Sequence, residues 1–162
     1  MKSINLDPSF YAIDPSKGRK YESIAYVFAL LYNVLQSRVE HYLQPYNLSV
    51  VHFNLLLLAA YLNRGRGISQ VEISKHLIVS ASNITKLVEK SVHAGWITRQ
   101  TNPQSRRENI ICITPKGQDL IDEIWPGYDE LMRGLTEKIP EADRPQLERI
   151  LNNWFASLQQ EK

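Results

Sequence analysis

The chain has 162 residues, 43% of them hydrophobic and 22% charged, and a formal net charge of +2. This length supports one sizeable core and favours one domain over two. Its single cysteine, Cys112, excludes an intrachain disulfide, and its longest apolar run, residues 55–62, falls short of the ~20 residues of a membrane-spanning helix. Since the N-terminus also lacks a secretory signal, we expect a cytoplasmic protein that does not span a membrane.

Two apolar helices are predicted in the first part of the chain. Residues 1–20 contain two prolines and a glycine and are expected to form an N-terminal arm, either disordered or packed across a partner subunit. Residues 21–43 have apolar side chains at helical spacing, and in the first half these cover almost every side. Burial on more than one side predicts a subunit interface in a chain this short. Ser49 then caps a second apolar helix, residues 50–62, which Gly65 ends.

A short helix is predicted next, over residues 70–77. Ser69 and Glu72 have the spacing of a capping box, in which the hydroxyl caps the helix and the carboxylate reaches back. Residues 78–80 leave room only for a tight connection to a second short helix, residues 81–94.

This second helix has two contrasting faces. Ser80 or Ser82 caps its start, Gly95 ends it, and its apolar face is predicted to be buried. That face consists of Ile84, Leu87, Val88 and Val92. The opposite face consists of Ser82, Asn83, Thr85, Lys86, Glu89, Lys90 and His93. A short polar face of this kind fits a DNA major groove, where such side chains bond base edges and phosphates; an ordinary solvated surface is the alternative.

A hairpin follows the second helix. Its strands are predicted over residues 96–101 and 109–113, with a polar turn between them and Arg106 and Arg107 at its tip. Helix, tight turn, helix and basic hairpin together form a winged helix-turn-helix. A guanidinium at the wing is attracted to a narrow minor groove, whereas the alternative is a hairpin tip left in solvent.

The charges are segregated along the chain. Residues 64–116 contain nine basic and three acidic residues, whereas the remainder contains ten basic and fourteen acidic ones. A positive middle segment is typical of a protein that presents one face to phosphate.

Two helices are predicted after the hairpin. Thr114 followed by Pro115 is a strong helix start, and this helix runs to about residue 138 with a kink near Pro126. The last helix has an apolar stripe made of Leu147, Ile150, Leu151, Trp154, Phe155 and Leu158. The first helix and these two helices are three long apolar helices, more than a monomer of this size needs for one core. We therefore expect a homodimer. In a twofold dimer, the two winged helix-turn-helix units, called heads below, would read an inverted repeat with half-sites roughly 10 base pairs apart.

Five motifs follow one another between residues 72 and 117. They are Glu72-Ile73-Ser74-Lys75-His76-Leu77, then Ser80 to Lys90, Ala94-Gly95-Trp96-Ile97, Ser105-Arg106-Arg107 and Ile113-Thr114-Pro115-Lys116-Gly117. In order and spacing they resemble the core of the MarR family of bacterial transcriptional regulators. Three residues depart from the family pattern: Ser105 replaces Asp, Ser91 replaces Leu, and Lys86 replaces Arg.

The resemblance implies a mainly α-helical fold with a small β-hairpin wing. A single MarR-like domain over residues 21–162 then combines dimerisation helices, at about 21–43 and 115–160, with a winged helix-turn-helix at about 49–114. The implied function is a sequence-specific dimeric regulator of transcription, in the family's usual form a repressor released by a small aromatic or anionic effector. Its partner is double-stranded DNA. The predicted DNA-binding residues are Ser80, Ser82, Asn83, Thr85, Lys86, Lys90, Arg106 and Arg107.

Other functions were weighed against this one. A winged-helix module that binds protein, or an architectural protein with weak DNA specificity, is the alternative function. We expect neither an enzyme nor a cofactor, because the sequence shows no phosphate-binding loop and no nucleophile beside a base. The histidines lack the paired spacing of a zinc site, although Glu40, His41 and His52 could form a metal-sensing site. Cys112 is predicted to be a buried strand residue, not a redox switch. Aromatic residues expected in the core, or alternatively in an effector cavity, are Tyr26, Tyr32, Tyr42, Tyr46, Phe53 and Trp96.

Overall fold

The computed structural model describes residues 14, 16, 21–62, 66–77, 81–102 and 105–160, without the side chains of residues 81, 82 and 105–108. Its helices are α1 (Glu22–Leu43), α2 (Val50–Tyr61), α3 (Gln70–His76), α4 (Ala81–His93), α5 (Pro115–Thr136) and α6 (Arg144–Gln160). Its strands are β1 (Ile68–Ser69), β2 (Ile97–Asn102) and β3 (Ser105–Ile113), and two short 3-10 helices span Gln44–Tyr46 and Glu141–Asp143. A mainly α-helical fold with a small β-sheet is therefore confirmed.

The chain divides into two compact units, Met1–Asp119 and Leu120–Lys162. The single domain over residues 21–162 stays a prediction. The predicted N-terminal arm lies outside the described residues, apart from Asp14 and Ser16. None of the helices in the described ranges is long and apolar enough to cross a membrane.

Helix α1 agrees with the helix predicted from the apolar spacing. Only its last turns are buried, through Val39 and Leu43. A left-handed residue, Asn47 with φ 52°, reverses the chain, and Ser49 then caps α2 by accepting the His52 N–H at 3.4 Å. Helix α2 ends at Tyr61, one residue before the predicted end at Leu62.

The sheet has three antiparallel strands in the order β1-β3-β2. Ile68 of β1 pairs with Ile111 of β3, and Ile97 of β2 pairs with Ile113. Ile68, Ile97 and Ile111 are fully buried or nearly so, and this sheet forms one wall of the core of the first unit. Strand β1 was not predicted, because two residues are too few to show an alternating pattern.

Strand β3 is longer than the sequence predicted. It begins at Ser105, so residues 105–108, predicted as part of the turn, belong to the strand. Thr101 pairs with Asn109 and Asn102 with Ser105, which places residues 106–108 in an irregularity of the β3 register. Ser105 and Asn109 pair with β2 on either side of this irregularity, and this pairing outweighs the local loop preference of the polar residues between them.

The buried face of α4 differs from the prediction at one position. Ile84, Leu87 and Val88 are buried as predicted, whereas Val92 is 39% exposed and Ser91 is fully buried. Ser91 lies on the same side as its partners three and four residues earlier, and Val92 is rotated by about 100° from it. The Ser91 hydroxyl donates to the Leu87 carbonyl at 2.9 Å, so its burial leaves no polar group unbonded.

The two helices that follow the hairpin also agree closely with the sequence prediction. Helix α5 begins at Pro115, as predicted, and continues through Pro126 to Thr136, two residues short of the expected end. A bend near Pro126 stays a prediction. Helix α6 exposes its apolar stripe within the single chain, with Ile150 51% and Phe155 63% accessible.

Candidate nucleic-acid interface

Helix α4 presents a polar face to solvent while its other face is part of the core. The exposed side chains are Asn83, Thr85, Lys86, Glu89, Lys90 and His93. Asn83, Thr85 and Lys86 lie in the first half of the helix, the half that reaches base edges when such a helix enters a major groove. The structure therefore places these three predicted residues together, and their contact with DNA stays a prediction.

The other predicted residues are described less fully. Ser80 lies outside the described residues, and Ser82 belongs to α4 with its side chain outside the description. Arg106 and Arg107 lie on β3 in the irregular stretch of the wing, and not in a separate loop as predicted; their side chains are also outside the description.

Helix α3 packs against α4 on the side opposite its polar face. Its Ser69 cap is confirmed, because the hydroxyl accepts the Glu72 N–H at 3.1 Å. The Glu72 carboxylate contacts Lys75 Nζ at 2.9 Å and His76 Nε2 at 3.5 Å, and not the cap as predicted. The hydrogen bond from Lys75, and then its charge, lower the pKa of Glu72. Ile73 and Leu77 are buried in the same core as Ile84 and Val88 of α4, which positions the two helices of the motif.

Arg99 is a basic residue on β2 that the predicted site did not include. It is exposed, and its guanidinium lies 3.5 Å from the Gln70 side-chain oxygen at the start of α3. The signal was present in the sequence, since Arg99 is one of the nine basic residues of the middle segment. Arg99 also falls within the predicted first strand of the hairpin, residues 96–101, and its pairing with Ile111 confirms that it lies on the wing.

The end of α4 is bonded to the start of α5, which the sequence did not predict. Gly95, with φ 75°, and Trp96 close α4 by donating their N–H groups to Val92 and Ser91 at 2.9 and 3.0 Å. The Thr114 hydroxyl lies 2.7 Å from the Gly95 carbonyl oxygen, and Lys116 Nζ donates to the Ala94 carbonyl at 2.8 Å.

A polar cavity of about 590 Å³ lies between the end of α1 and the start of α2. It is lined by Ser37, Glu40, His41, Gln44, Asn47, Leu48, Ser49 and His52. The His52 Nδ1 is 2.7 Å from the Ser49 hydroxyl, and its ring packs edge-on against Trp96 with centroids 6.2 Å apart. Partial burial and then the Lys90 ammonium lower the pKa of His52, so the imidazole is held toward its neutral form.

Other candidate sites are not assembled. Within the described ranges, no group of three His, Cys, Asp or Glu side chains is placed to hold a metal ion, although Glu40, His41 and His52 line one cavity. That cavity is lined by polar side chains instead of the aromatic set considered above, of which Phe53 is fully buried in the core. Cys112 is half-buried in β3, where it pairs with Thr98.

Comparison with known proteins agrees with this architecture. Residues 49–109 match the model of the MarR family. The multiple antibiotic resistance protein MarR of Salmonella typhimurium is 28% identical over 127 residues, which cover 75% of this chain and 85% of that protein. The transcriptional repressor YetL of Bacillus subtilis is 22% identical over 120 residues, covering 74% of this chain and 71% of the repressor.

The fold is shared with a solved structure, that of Sco3205, a MarR family transcriptional regulator from Streptomyces coelicolor, in complex with DNA. The TM-score is 0.78 at 18% identity, over 85% of this chain and 87% of that one. The family consists of transcriptional regulators and not of enzymes. Its model covers the winged helix-turn-helix, and the relatives extend the match to about three quarters of the chain. Residues 49–109 of this protein therefore match the winged helix-turn-helix of the MarR family, and the chain as a whole is similar to transcriptional regulators of that family.

Proposed function

We propose that the protein is a homodimeric repressor that occupies a specific inverted repeat in DNA and releases it when an effector binds. One observation carries this proposal: α4 is buried along Ile84 and Val88, while Asn83, Thr85 and Lys86 are exposed together on its first turns. A helix held by one face and offering the other is suited to a major groove. The DNA in the Sco3205 structure and the name of the YetL repressor support the same role.

The exposed side chains suit sequence recognition. Asn83 can bond adenine through two hydrogen bonds, and Lys86 can bond guanine or a phosphate. Arg106 and Arg107 lie on the wing, where cations are attracted to a narrow minor groove. In this proposal the head reads base edges through α4, and the wing and Lys90 add contacts that fix its register.

The apolar helices support a dimer. In the single chain, α1 exposes Ile24 at 61%, Leu31 at 55% and Val34 at 54%, and α6 exposes Ile150 and Phe155 to a similar degree. Contiguous apolar surface of this kind marks an interface, since monomers rarely expose large apolar patches. A twofold dimer, with residues 21–162 acting as one domain, would place two heads on half-sites roughly 10 base pairs apart in the cytoplasm, where the DNA lies.

The dimer is tested by adding charge to the apolar stripe of α6. Leu151→Asp combined with Phe155→Asp should convert the protein to a folded monomer that has lost tight binding to the full site. Asn152→Asp combined with Asn153→Asp is the matched control, because it adds the same two charges to exposed polar positions of the same helix. Sedimentation velocity and circular dichroism report the two properties separately. A double variant that stays dimeric would refute this interface.

An effector is the second part of the proposal. The 590 Å³ cavity has the volume of a small-molecule site, and His52 at its wall contacts Trp96 at the end of α4. We propose a small aromatic or anionic effector for it, with benzoate as the probe. Benzoate should release the protein from its repeat, and His52→Gln should weaken that release. Unchanged DNA binding at millimolar benzoate would exclude this class of effector.

The central experiment is selection of genomic DNA fragments by the purified protein at near-physiological salt, followed by sequencing. Enrichment of one inverted repeat would support a specific regulator. Retention without enrichment would favour the architectural alternative, since phosphate contacts supply affinity without discrimination. No retention would contradict DNA binding.

A lysine pair refines this test. Lys86→Met should weaken binding to the selected repeat by about tenfold, within the range expected for one base contact. Lys138→Met removes the same charge from an exposed position beyond α5 and should leave the affinity unchanged. Equal effects of the two variants would indicate that only net charge matters.

A further inference from the structure

Thr114 and Lys116 bond to Ala94, Gly95 and Trp96, the three residues that connect α4 to the wing. Lys116 Nζ donates to the Ala94 carbonyl at 2.8 Å. The Thr114 hydroxyl lies 2.7 Å from the Gly95 oxygen and 2.9 Å from the Trp96 oxygen, and the Thr114 N–H donates to Trp96 at 3.0 Å. The start of α5 is thus bonded to three successive carbonyl groups at the C-terminal end of α4.

These carbonyl groups need partners. The Ala94 carbonyl is at the C-cap of α4, where it has no N–H partner within the helix and lies at the negative end of the helix dipole, so the Lys116 ammonium is a suitable partner. The Gly95 and Trp96 carbonyls lie just beyond the helix and are bonded by Thr114. The fit is also close, because a Cβ on Gly117 would overlap the Trp96 oxygen. The Thr114 hydroxyl additionally accepts the Gly117 N–H at 3.0 Å, which starts α5. One turn of α5 therefore lies against Trp96 with little freedom to move.

We infer that Thr114 and Lys116 are positioning residues that set the direction of α4 relative to α5, and with it the half-site spacing that the dimer accepts. This inference rests on the proposed function, in which α5 belongs to the dimerisation helices. It assigns a role to the Ile113 to Gly117 motif beyond starting a helix.

A few hydrogen bonds at one end of α4 matter because a small change in the direction of the helix moves its other end much farther. Helix α4 has 13 residues and is about 20 Å long. If α4 and the core that it packs into rotated together by about 10° around the bonded C-terminal end of the helix, its base-reading N-terminal end would move by about 3 Å, close to the 3.4 Å rise between base pairs along one strand. In a dimer, such freedom in both heads would allow half-sites one base pair closer or farther apart.

Lys116 has an alternative role, which the experiment must separate from positioning. As an exposed cation it could contact a phosphate of the DNA directly. Loss of a phosphate contact weakens binding to every DNA sequence by a similar factor. Loss of positioning instead reduces the preference for the native spacing over an altered one. The ratio of affinities for two spacings therefore distinguishes the two roles.

The experiment uses the full chain and three DNAs: the selected repeat and two copies with one base pair inserted or removed between half-sites. Lys116→Met should reduce the preference for the native spacing about fivefold, the size expected for one solvent-exposed hydrogen bond. Lys116→Arg keeps a charged donor and should retain the preference. Thr114→Val and Thr114→Ser form a second pair, which removes or keeps the hydroxyl and provides an independent reading of the same ratio.

The outcomes separate the inference from the proposed function. A lower spacing preference in Lys116→Met and Thr114→Val, with the dimer and helical content unchanged, would support positioning. Equal weakening on all three DNAs, or an unchanged ratio in both variants, would overturn it while leaving the proposed function intact. A wild-type protein with no preference for any repeat would overturn both.

Discussion

The cap of α3 allows a stability prediction: replacing serine by alanine should destabilise the protein at the cap, Ser69, but not within the helix, at Ser74. Ser69→Ala removes the hydroxyl that accepts the Glu72 N–H at 3.1 Å. Helix α3 has only seven residues, so a first-turn N–H left without its partner is a large part of its bonding. We expect the free energy of unfolding to fall by about 1 kcal/mol.

Ser74→Ala on the same helix is the matched control. The Ser74 hydroxyl is exposed and donates to the Val71 carbonyl at 2.6 Å, a bond that competes with the backbone. Because alanine has the higher helix propensity, this variant should be unchanged or more stable by about 0.5 kcal/mol.

Urea unfolding followed by circular dichroism measures both variants. The protein concentration is kept constant, because the stability of a dimer depends on it. Ser69→Ala should lower the midpoint with an unchanged slope. Equal midpoint changes in the two variants would refute the argument that the cap at Ser69 stabilises the helix-turn-helix.

Two further predictions concern pH and backbone conformation. Burial and Lys90 lower the pKa of His52 below its ordinary 6.5, so the stability that the neutral ring contributes is complete above pH 6.5 and lost as pH falls through the folded-state pKa. His52→Gln should flatten this acid-side loss in urea unfolding measured from pH 7 to 5, and an unchanged profile in this variant would contradict the assignment to His52. Gly67 has φ +89°, and a Cβ there would overlap the Ile110 side chain, so Gly67→Ala should cost about 1–3 kcal/mol. Gly134→Ala, in an open helical position, should be neutral or stabilising, and a similar loss in both would contradict this reasoning.

Much of the candidate site was predictable because its signals are local. A hydroxyl before a helix, proline in its first turn and glycine after its end each act within a few residues. Ser69, Pro115 and Gly95 accordingly mark the helix boundaries that the structure shows. The 3.6-residue period likewise separated the buried Ile84 and Val88 from the polar face of α4.

Contacts between distant segments decided the rest. The sequence by itself determined the order of the helices, the caps at Ser49 and Ser69 and the polar face that α4 exposes. Only the tertiary structure decided that residues 105–108 are strand, because Ser105 and Asn109, on either side of the irregularity, pair with β2. It also decided that Ser91 replaces Val92 in the core, and that Lys116 bonds to Ala94, 22 residues earlier in the chain. Local patterns report the conformation of neighbouring residues, whereas register, rotation of a helix in its core and bonds between elements depend on partners far along the chain.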